Sequence, residues 1–166
     1  MGVLVFVLII MAILIWSSVV KVPSGKMYVV ERMGKYHKTI EEGIYFCLPI
    51  LDRVSAKLSI GELTYECMPQ PVISQDNIIF TVRYVFTYHI TDARRFKYAQ
   101  ANTLMSTELL LTKVGREILD HYTAYDIATD VNKVRDEILM SSFDAAGFFG
   151  IGLTSLECYF ERSRHD

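Results

Sequence analysis

The chain has 166 residues, of which 51% are hydrophobic and 12% aromatic, and its mean hydropathy is positive. This composition excludes an intrinsically disordered chain and fits a single domain of about 100–200 residues. Seventeen Lys or Arg residues and nineteen Asp or Glu residues give a net charge of −2. Such a balance excludes a strongly basic surface, so we expect no nucleic-acid partner.

The N-terminal segment is almost entirely apolar: residues 1–20 include no charged side chain, and 17 of them are hydrophobic. A helix of 20 residues is about 30 Å long, which is the thickness of the hydrocarbon core of a bilayer. We therefore predict a transmembrane anchor over residues 1–21. A cleaved signal peptide is the alternative, but that class of segment requires basic residues before the apolar run. The side chains predicted to contact lipid along the anchor include those of Val3, Phe6, Ile10, Leu14, Trp16 and Val20.

The charges on the two sides of the predicted anchor differ. Lys21 and Lys26 follow it closely, whereas the other side carries only the α-amino group. The positive-inside rule therefore predicts a single-pass membrane protein whose C-terminal domain is cytoplasmic. In this arrangement Lys21 and Lys26 flank the membrane interface.

Three segments after the anchor have strand patterns. Residues 26–32 are rich in β-forming side chains, and a turn signal, Gly34, follows them. Residues 80–90 alternate, with apolar or aromatic side chains at every even position, which predicts a half-buried strand of an antiparallel sheet. The last segment, residues 155–161, also alternates and places Leu156, Cys158 and Phe160 on one face.

Two helices are predicted between these strands. Asp92 opens the first helical region, whose apolar stripe consists of Leu104, Leu111, Val114 and Ile118. The second helix is predicted over residues 130–146, with Asp130 as N-cap and Gly147 at the C′ position. Its predicted buried stripe consists of Val131, Val134 and Ile138. Strands, then helices, then a returning strand indicate an α+β fold in which an antiparallel sheet packs with helices.

An uncharged run, residues 44–51, has two interpretations. It is either a core strand or a loop at the membrane interface, where Tyr and Phe are favoured. For the second interpretation the candidate lipid contacts are Tyr45, Phe46 and Leu48. Cys47 lies in the same run and is either a buried thiol or a site of S-acylation. The other cysteines, Cys67 and Cys158, are predicted to be buried thiols.

The sequence offers little for catalysis. The four histidines, His37, His89, His121 and His165, lack the spacing of metal ligands, and neither a phosphate-binding loop nor a nucleophile elbow is present. We therefore predict no enzyme activity, no cofactor and no metal. The aromatic face of residues 80–90 has two interpretations, a pocket for a sterol or acyl chain and, more simply, the core of the domain.

Several segments in order resemble a known family. Residues 29–43 and 48–54 resemble the opening of a stomatin-type SPFH, or band 7, domain. Residues 69–77 resemble the family's proline–glutamine–proline and aspartate–asparagine segment. Residues 88–92 and 115–119 lie where the family has its strand-to-helix junction and a helix of its second half. The resemblance covers residues 22–161, which we predict to be the SPFH domain.

The resemblance also implies a function. Members of the family, which includes the prohibitins, are membrane proteins that form homo-oligomers and organise or regulate other membrane proteins. The implied function is an oligomerising scaffold, and its implied partners are the lipid bilayer, copies of itself, and a channel, a protease or an NfeD-type membrane protein. One alternative is an accessory subunit of a membrane protease that forms no scaffold. The other is a truncated paralogue that caps assemblies of full-length members.

Two features differ from the family pattern. The family normally continues from the last strand into a long charged helix that drives oligomerisation, whereas this sequence continues through a short charged tail, residues 162–166. This difference predicts a chain without the usual coiled coil. Glu42 stands where the family has a proline before a glycine.

Overall fold

The computed structural model describes residues 2–162, and of these it leaves the side chains of Val3, Ile10, Leu14, Ile15, Ser17 and Arg162 undescribed. The chain divides into two compact units, with the boundary between Ile60 and Gly61. The first unit contains α1 (Gly2–Ser17), β1 (Val19–Val22), β2 (Lys26–Arg32), β3 (Lys35–Ile40), β4 (Gly43–Phe46) and β5 (Asp52–Ser59). The second unit contains β6 (Leu63–Glu66), β7 (Gln70–Ile73), β8 (Ile79–Ile90), α2 (Ala93–Tyr98), α3 (Thr103–Leu119), α4 (Ala124–Thr129), α5 (Val131–Phe148) and β9 (Ile151–Arg162).

The N-terminal helix is shorter than the sequence predicts. It ends at Ser17, and Val20 and Lys21, which we assigned to the anchor, belong to strand β1. The physical reason is that β1 pairs with β4 in an antiparallel ribbon, which suits β-branched valines better than a helix end does. No described helix has both the length and the apolar character that crossing a membrane requires.

The first unit is built on small antiparallel sheets. β2 is the central strand of a three-stranded sheet, with β3 on one side and β5 on the other. β2 occupies the bounds that the sequence predicts. The core of the first unit is a cluster of buried side chains from β2, from β1 and β3, and from the residue that follows β4. The cluster consists of Val22, Tyr28, Val30, Ile40 and Cys47.

The second unit is organised around β8. β9 pairs along almost the whole length of β8, while β6 and β7 pair with its second and first halves respectively. The alternation predicted for residues 80–90 is confirmed, because every even-numbered side chain from Phe80 to Ile90 is buried. β9 buries Leu156 as predicted, and its register shifts opposite residues 87 and 88.

Helices α3 and α5 pack against each other, and α5 also packs on β9. The buried stripe of α3 differs from the predicted one: of the four side chains we named, only Leu111 is fully buried. The helix instead buries a row spaced by four residues, which consists of Thr103, Thr107, Leu111, Gly115 and Leu119. In α5, Val134 and Ile138 are buried as predicted.

The end of α5 also differs from the prediction. Asp130 is its N-cap, but the helix continues through Gly147 to Phe148. Gly150, with φ +76°, adopts the left-handed conformation that we expected of Gly147. A side chain at Gly150 is excluded because a Cβ there would lie 2.7 Å from the backbone nitrogen of Phe96.

Candidate membrane-contacting surface

The ribbon formed by β1 and β4 has one face on the core and one face in solvent. Val20, Val22 and Tyr45 pack against the buried cluster of the first unit. The opposite face carries Val19, Lys21, Ile44 and Phe46, all of which are exposed; Phe46 exposes 60% of its surface. Val19 lies opposite Phe46, and Lys21 lies opposite Ile44. The exposed face is therefore apolar except for one lysine.

A tight apolar loop, residues 48–51, follows the ribbon. The carbonyl of Leu48 accepts hydrogen bonds from the N–H groups of Leu51 and Asp52, at 3.0 and 2.7 Å. Leu48, Ile50 and Leu51 are exposed, and Ile50 exposes 83% of its surface. A loop closed by two backbone hydrogen bonds therefore presents three large aliphatic side chains to its surroundings.

One carboxylate holds this loop to the sheet. Oδ2 of Asp52 accepts a hydrogen bond of 2.9 Å from the N–H of Leu48. The same carboxylate accepts hydrogen bonds from Arg32, with Nε to Oδ1 at 2.7 Å and Nη2 to Oδ2 at 3.1 Å. The bonds from Arg32 and Leu48 stabilise the charged form and lower the pKa of Asp52 to about 2. Asp52 is therefore ionised over the whole neutral range.

The loop lies beside the N-terminal helix. Side chains of the loop, of Phe46 and of Met11 surround an apolar groove of about 460 Å³, which extends to Ser18. All described side chains of α1 are exposed, including Phe6 and Trp16, the latter at 87% of its surface. We define the apolar surface as the described side chains of α1, the exposed ribbon face and loop 48–51.

Only some of the residues that the sequence predicts to contact the membrane lie on the apolar surface. Phe6, Trp16, Phe46 and Leu48 lie on the apolar surface, and Lys21 lies within its ribbon face. Lys26 is exposed at the start of β2. In contrast, Val20 and Tyr45 pack on the core, so they do not belong to the surface. The side chains of Val3, Ile10 and Leu14 lie outside the described residues, as does the tail beyond Arg162.

Cys47 is part of the core of the first unit. Its side chain is 4% exposed, and its N–H donates to the carbonyl of Ser18 at 2.8 Å. The position fits the buried-thiol interpretation. Acylation of Cys47 stays a prediction, and it would require β4 to separate from the core.

Val19 and Met33 are exposed apolar residues of the first unit that were not singled out from the sequence. We placed Val19 within the predicted anchor, where its pairing partner Phe46 is not visible from local sequence. Met33 occupies the β2–β3 hairpin turn with Gly34, at φ +52° and +79°. The dipeptide Met33-Gly34 between two strand patterns was the available signal, because such turns require positive φ at both positions.

The two units differ in charge. Residues 1–60 contain seven Lys or Arg and four Asp or Glu, a net charge of +3, whereas residues 61–166 contain ten and fifteen, a net charge of −5. The basic unit is the one that carries the apolar surface. Positive charge beside exposed apolar side chains is the combination that favours contact with an anionic membrane.

In the second unit, the candidate pocket residues of β8 are accounted for by packing of the core. The aromatic face of β8, including Tyr84 and Phe86, is part of the core. His89 lies on the other face, where Nδ1 is 3.3 Å from the hydroxyl of Thr154. Within the part of the chain that the structure describes, no three His, Cys, Asp or Glu side chains are placed to hold a metal ion.

Comparison with known proteins gives one consistent result. Residues 20–157 match the SPFH domain / Band 7 family. An uncharacterized protein of Mycobacterium tuberculosis is 27% identical over 152 residues, which are 91% of this chain and 40% of that protein. Stomatin-like protein stl-1 of Caenorhabditis elegans is 31% identical over 104 residues, which are 60% of this chain and 32% of that protein. The human stomatin-like protein 2, mitochondrial, is 28% identical over 109 residues, 63% of this chain and 31% of that protein. The chain thus spans less than half the length of these relatives.

Proposed function

Because the chain belongs to the SPFH domain / Band 7 family, we propose that it is a membrane-attached scaffold that self-associates and binds other membrane proteins. The observation that carries this proposal is the apolar surface of the first unit. In water that surface would expose the described side chains of α1, one face of a ribbon and a loop. Monomeric soluble proteins rarely expose contiguous apolar areas of this extent.

Attachment follows from the transfer of these side chains into lipid. Each large aliphatic or aromatic side chain gains about 1.5–3 kcal/mol when it is fully removed from water. Helix α1 alone exposes Leu4, Phe6 and Leu8 together with further apolar residues, and it contains no charged residue. Loop 48–51 and Phe46 add to this area beside the C-terminal half of α1. Together these contributions favour the membrane-bound state over the state in water.

The proposed topology places the folded part of the chain in the cytoplasm. Lys21 and Lys26 follow α1, and α1 itself contains no basic residue. This arrangement supports a cytoplasmic position for the strands and helices that come after α1.

Scaffolding is the proposed consequence of attachment. A chain confined to a surface has a high effective concentration toward its neighbours, so weak lateral contacts are sufficient for assembly. Exposed apolar residues on the helices of the second unit, such as Met105 and Met140, are available for such contacts. The proposed partners are further copies of the chain and a membrane channel, a membrane protease or an NfeD-type protein. The proposal includes no catalytic step.

The experiment that tests the scaffold is a native mass. The full chain, purified in mild detergent, is measured by light scattering with a correction for bound detergent. A mass of many times 19 kDa, the mass of one chain, supports self-association. A monomer contradicts the scaffold and favours an accessory role beside a single partner.

A further inference from the structure

A second apolar tip lies next to loop 48–51. The β2–β3 hairpin turn consists of Met33 and Gly34, and the N–H of Met33 donates to the carbonyl of Leu51 at 3.2 Å. Met33 exposes 81% of its surface. One hydrogen bond therefore joins the hairpin turn to the loop, and the apolar side chains of both are exposed at the same end of the first unit.

The backbone conformation of the turn does not explain why a methionine occupies position 33. Met33 has φ +52°, a left-handed conformation that Asn, Asp and Gly adopt far more readily than other residues. Its side chain contributes nothing to the core, since it is largely exposed. A strained position occupied by an exposed apolar side chain points to a contact outside the chain.

A cation lies two residues after an exposed apolar residue at three places in the first unit. Lys35 comes two residues after Met33, Arg53 two residues after Leu51, and Lys21 two residues after Val19; all three cations are exposed. The nearby acids compensate only part of this charge, because Asp52 pairs with Arg32 and Glu31 lies opposite Arg53. The apolar tips are thus bordered by a net positive charge.

We infer that Met33 and loop 48–51 form a two-tip contact that recognises a bilayer with anionic headgroups. This inference rests on the proposed membrane attachment and adds its lipid class and, in Met33, a contact point beyond the apolar surface. The apolar tips enter the interface, while Lys21, Lys35 and Arg53 remain at the level of the headgroup phosphates. Arg and Lys are suited to this position because their long stems are apolar and their ends are charged. The net charge of +3 on residues 1–60 complements anionic lipid, whereas the −5 of residues 61–166 repels it.

The inference is tested with tryptophan fluorescence, because the chain has one tryptophan, Trp16 in α1. Full-length protein is reconstituted into phosphatidylcholine vesicles with brominated acyl chains, with or without phosphatidylglycerol. Trp16 of the unchanged chain reports the insertion of α1. The double variant W16F/M33W reports the hairpin tip, and W16F/I50W reports the loop independently if M33W disturbs the strained turn. The matched control is W16F/Y125W, an exposed aromatic position in the second unit.

We expect Trp16 to be quenched in both kinds of vesicle. The M33W and I50W indoles are expected to be quenched more strongly when phosphatidylglycerol is present, and less at high salt, because salt screens the attraction. The Y125W indole is expected to stay unquenched in both. K35E is expected to weaken association of the tip with anionic vesicles by about fivefold or more. The control K113E, an equal charge change in the second unit, is expected to have little effect.

The contradicting outcomes are distinct. Quenching of Trp16 without quenching of the M33W and I50W indoles overturns the two-tip contact and leaves the attachment intact. Equal tip quenching in both kinds of vesicle overturns the preference for anionic lipid. Absence of quenching at every position, Trp16 included, overturns the membrane attachment itself.

Discussion

The guanidinium of Arg32 donates two hydrogen bonds to the carboxylate of Asp52, at 2.7 and 3.1 Å, from neighbouring strands of the first unit. Bidentate pairs of this kind fix orientation as well as distance. Because the same carboxylate also accepts the N–H of Leu48, the pair orients the start of loop 48–51. A part-buried polar contact thus orients the loop that exposes Leu48, Ile50 and Leu51.

The first prediction concerns acid stability. The pKa of Asp52 is about 2 in the folded chain and 3.8 ordinarily, so the folded state favours the ionised form. The resulting stabilisation is fully present above about pH 4 and is lost as the pH falls toward about 2. We expect D52N to be less stable than the parent chain at neutral pH, with the difference narrowing as the pH falls through that window. Urea unfolding of both chains at a series of pH values measures this.

R32Q is the control for that experiment, since it removes the partner and leaves the carboxylate. In the double variant R32Q/D52N the decrease in the free energy of unfolding is expected to be smaller than the sum of the two single decreases. The reason is that both substitutions break the same interaction, the Arg32–Asp52 pair. A stability difference between D52N and the parent chain that is the same at acidic and neutral pH contradicts the assigned role of Asp52.

Four elements of the second unit were predictable from the sequence because their patterns are strong and local: β8, α3, α5 and β9. The short strands β6 and β7 and the short helix α4 were not predicted. The alternation of β8 fixed which side chains are buried. Apart from Leu111, the buried stripe of α3 was predicted one position out of place, since apolar content alone favours Leu104 and Val114. The structure buries Thr107 and Gly115 instead. Thr107 is tolerated there because its hydroxyl donates to the carbonyl of Thr103 at 2.9 Å.

The candidate site was predicted in part. Phe46 and Leu48 were predicted to contact the membrane from an uncharged run with an aromatic residue; both are exposed, and the contact itself stays a prediction. The ribbon was missed because Val19 and Phe46 are 27 positions apart, and a pairing at that separation leaves no local periodicity. For the same reason Val20 and Tyr45 were assigned to the membrane, although the ribbon directs both toward the core.

The second prediction concerns the contact between α3 and the sheet. A Cβ at Gly115 would clash with the hydroxyl of Tyr84 and lie 2.9 Å from its Cζ. Tyr84 is fully buried, so its ring has little room to move. We expect G115A to lower the free energy of unfolding by about 1–3 kcal/mol, as overpacked cores do. Chemical denaturation measures the change.

Gly147 provides the matched control, because it is also helical and a Cβ there meets nothing within 4 Å. G147A is expected to stabilise the chain by about 0.5–1 kcal/mol, since alanine is the better helix former. The hydroxyl of Tyr84 has no hydrogen-bond partner among the described residues, so Y84F is expected to be neutral or stabilising. Equal effects of G115A and G147A would show that α3 does not pack closely on Tyr84.

The third prediction concerns the thiols of the second unit. Burial raises the pKa of Cys67 and that of Cys158 to about 12. At pH 8 their thiolate fractions are therefore on the order of 1,000-fold below that of a free cysteine. We expect both to react correspondingly slowly with a maleimide in the folded chain and rapidly in urea, as measured by peptide mass mapping. Rapid labelling of either residue without urea contradicts the structure around β8 and β9.

The most direct test of the central claim is a comparison of two leucine- or isoleucine-to-arginine variants in vesicle flotation. Ile9 is exposed in α1 and Leu109 is exposed in α3 of the second unit. I9R is expected to oppose insertion by about 3 kcal/mol, the cost of an arginine near the middle of a bilayer, and so to shift the full chain toward the unbound fraction. L109R is expected to float with the vesicles as the unchanged chain does. Flotation of I9R to the same extent as L109R and the unchanged chain would contradict attachment through the apolar surface.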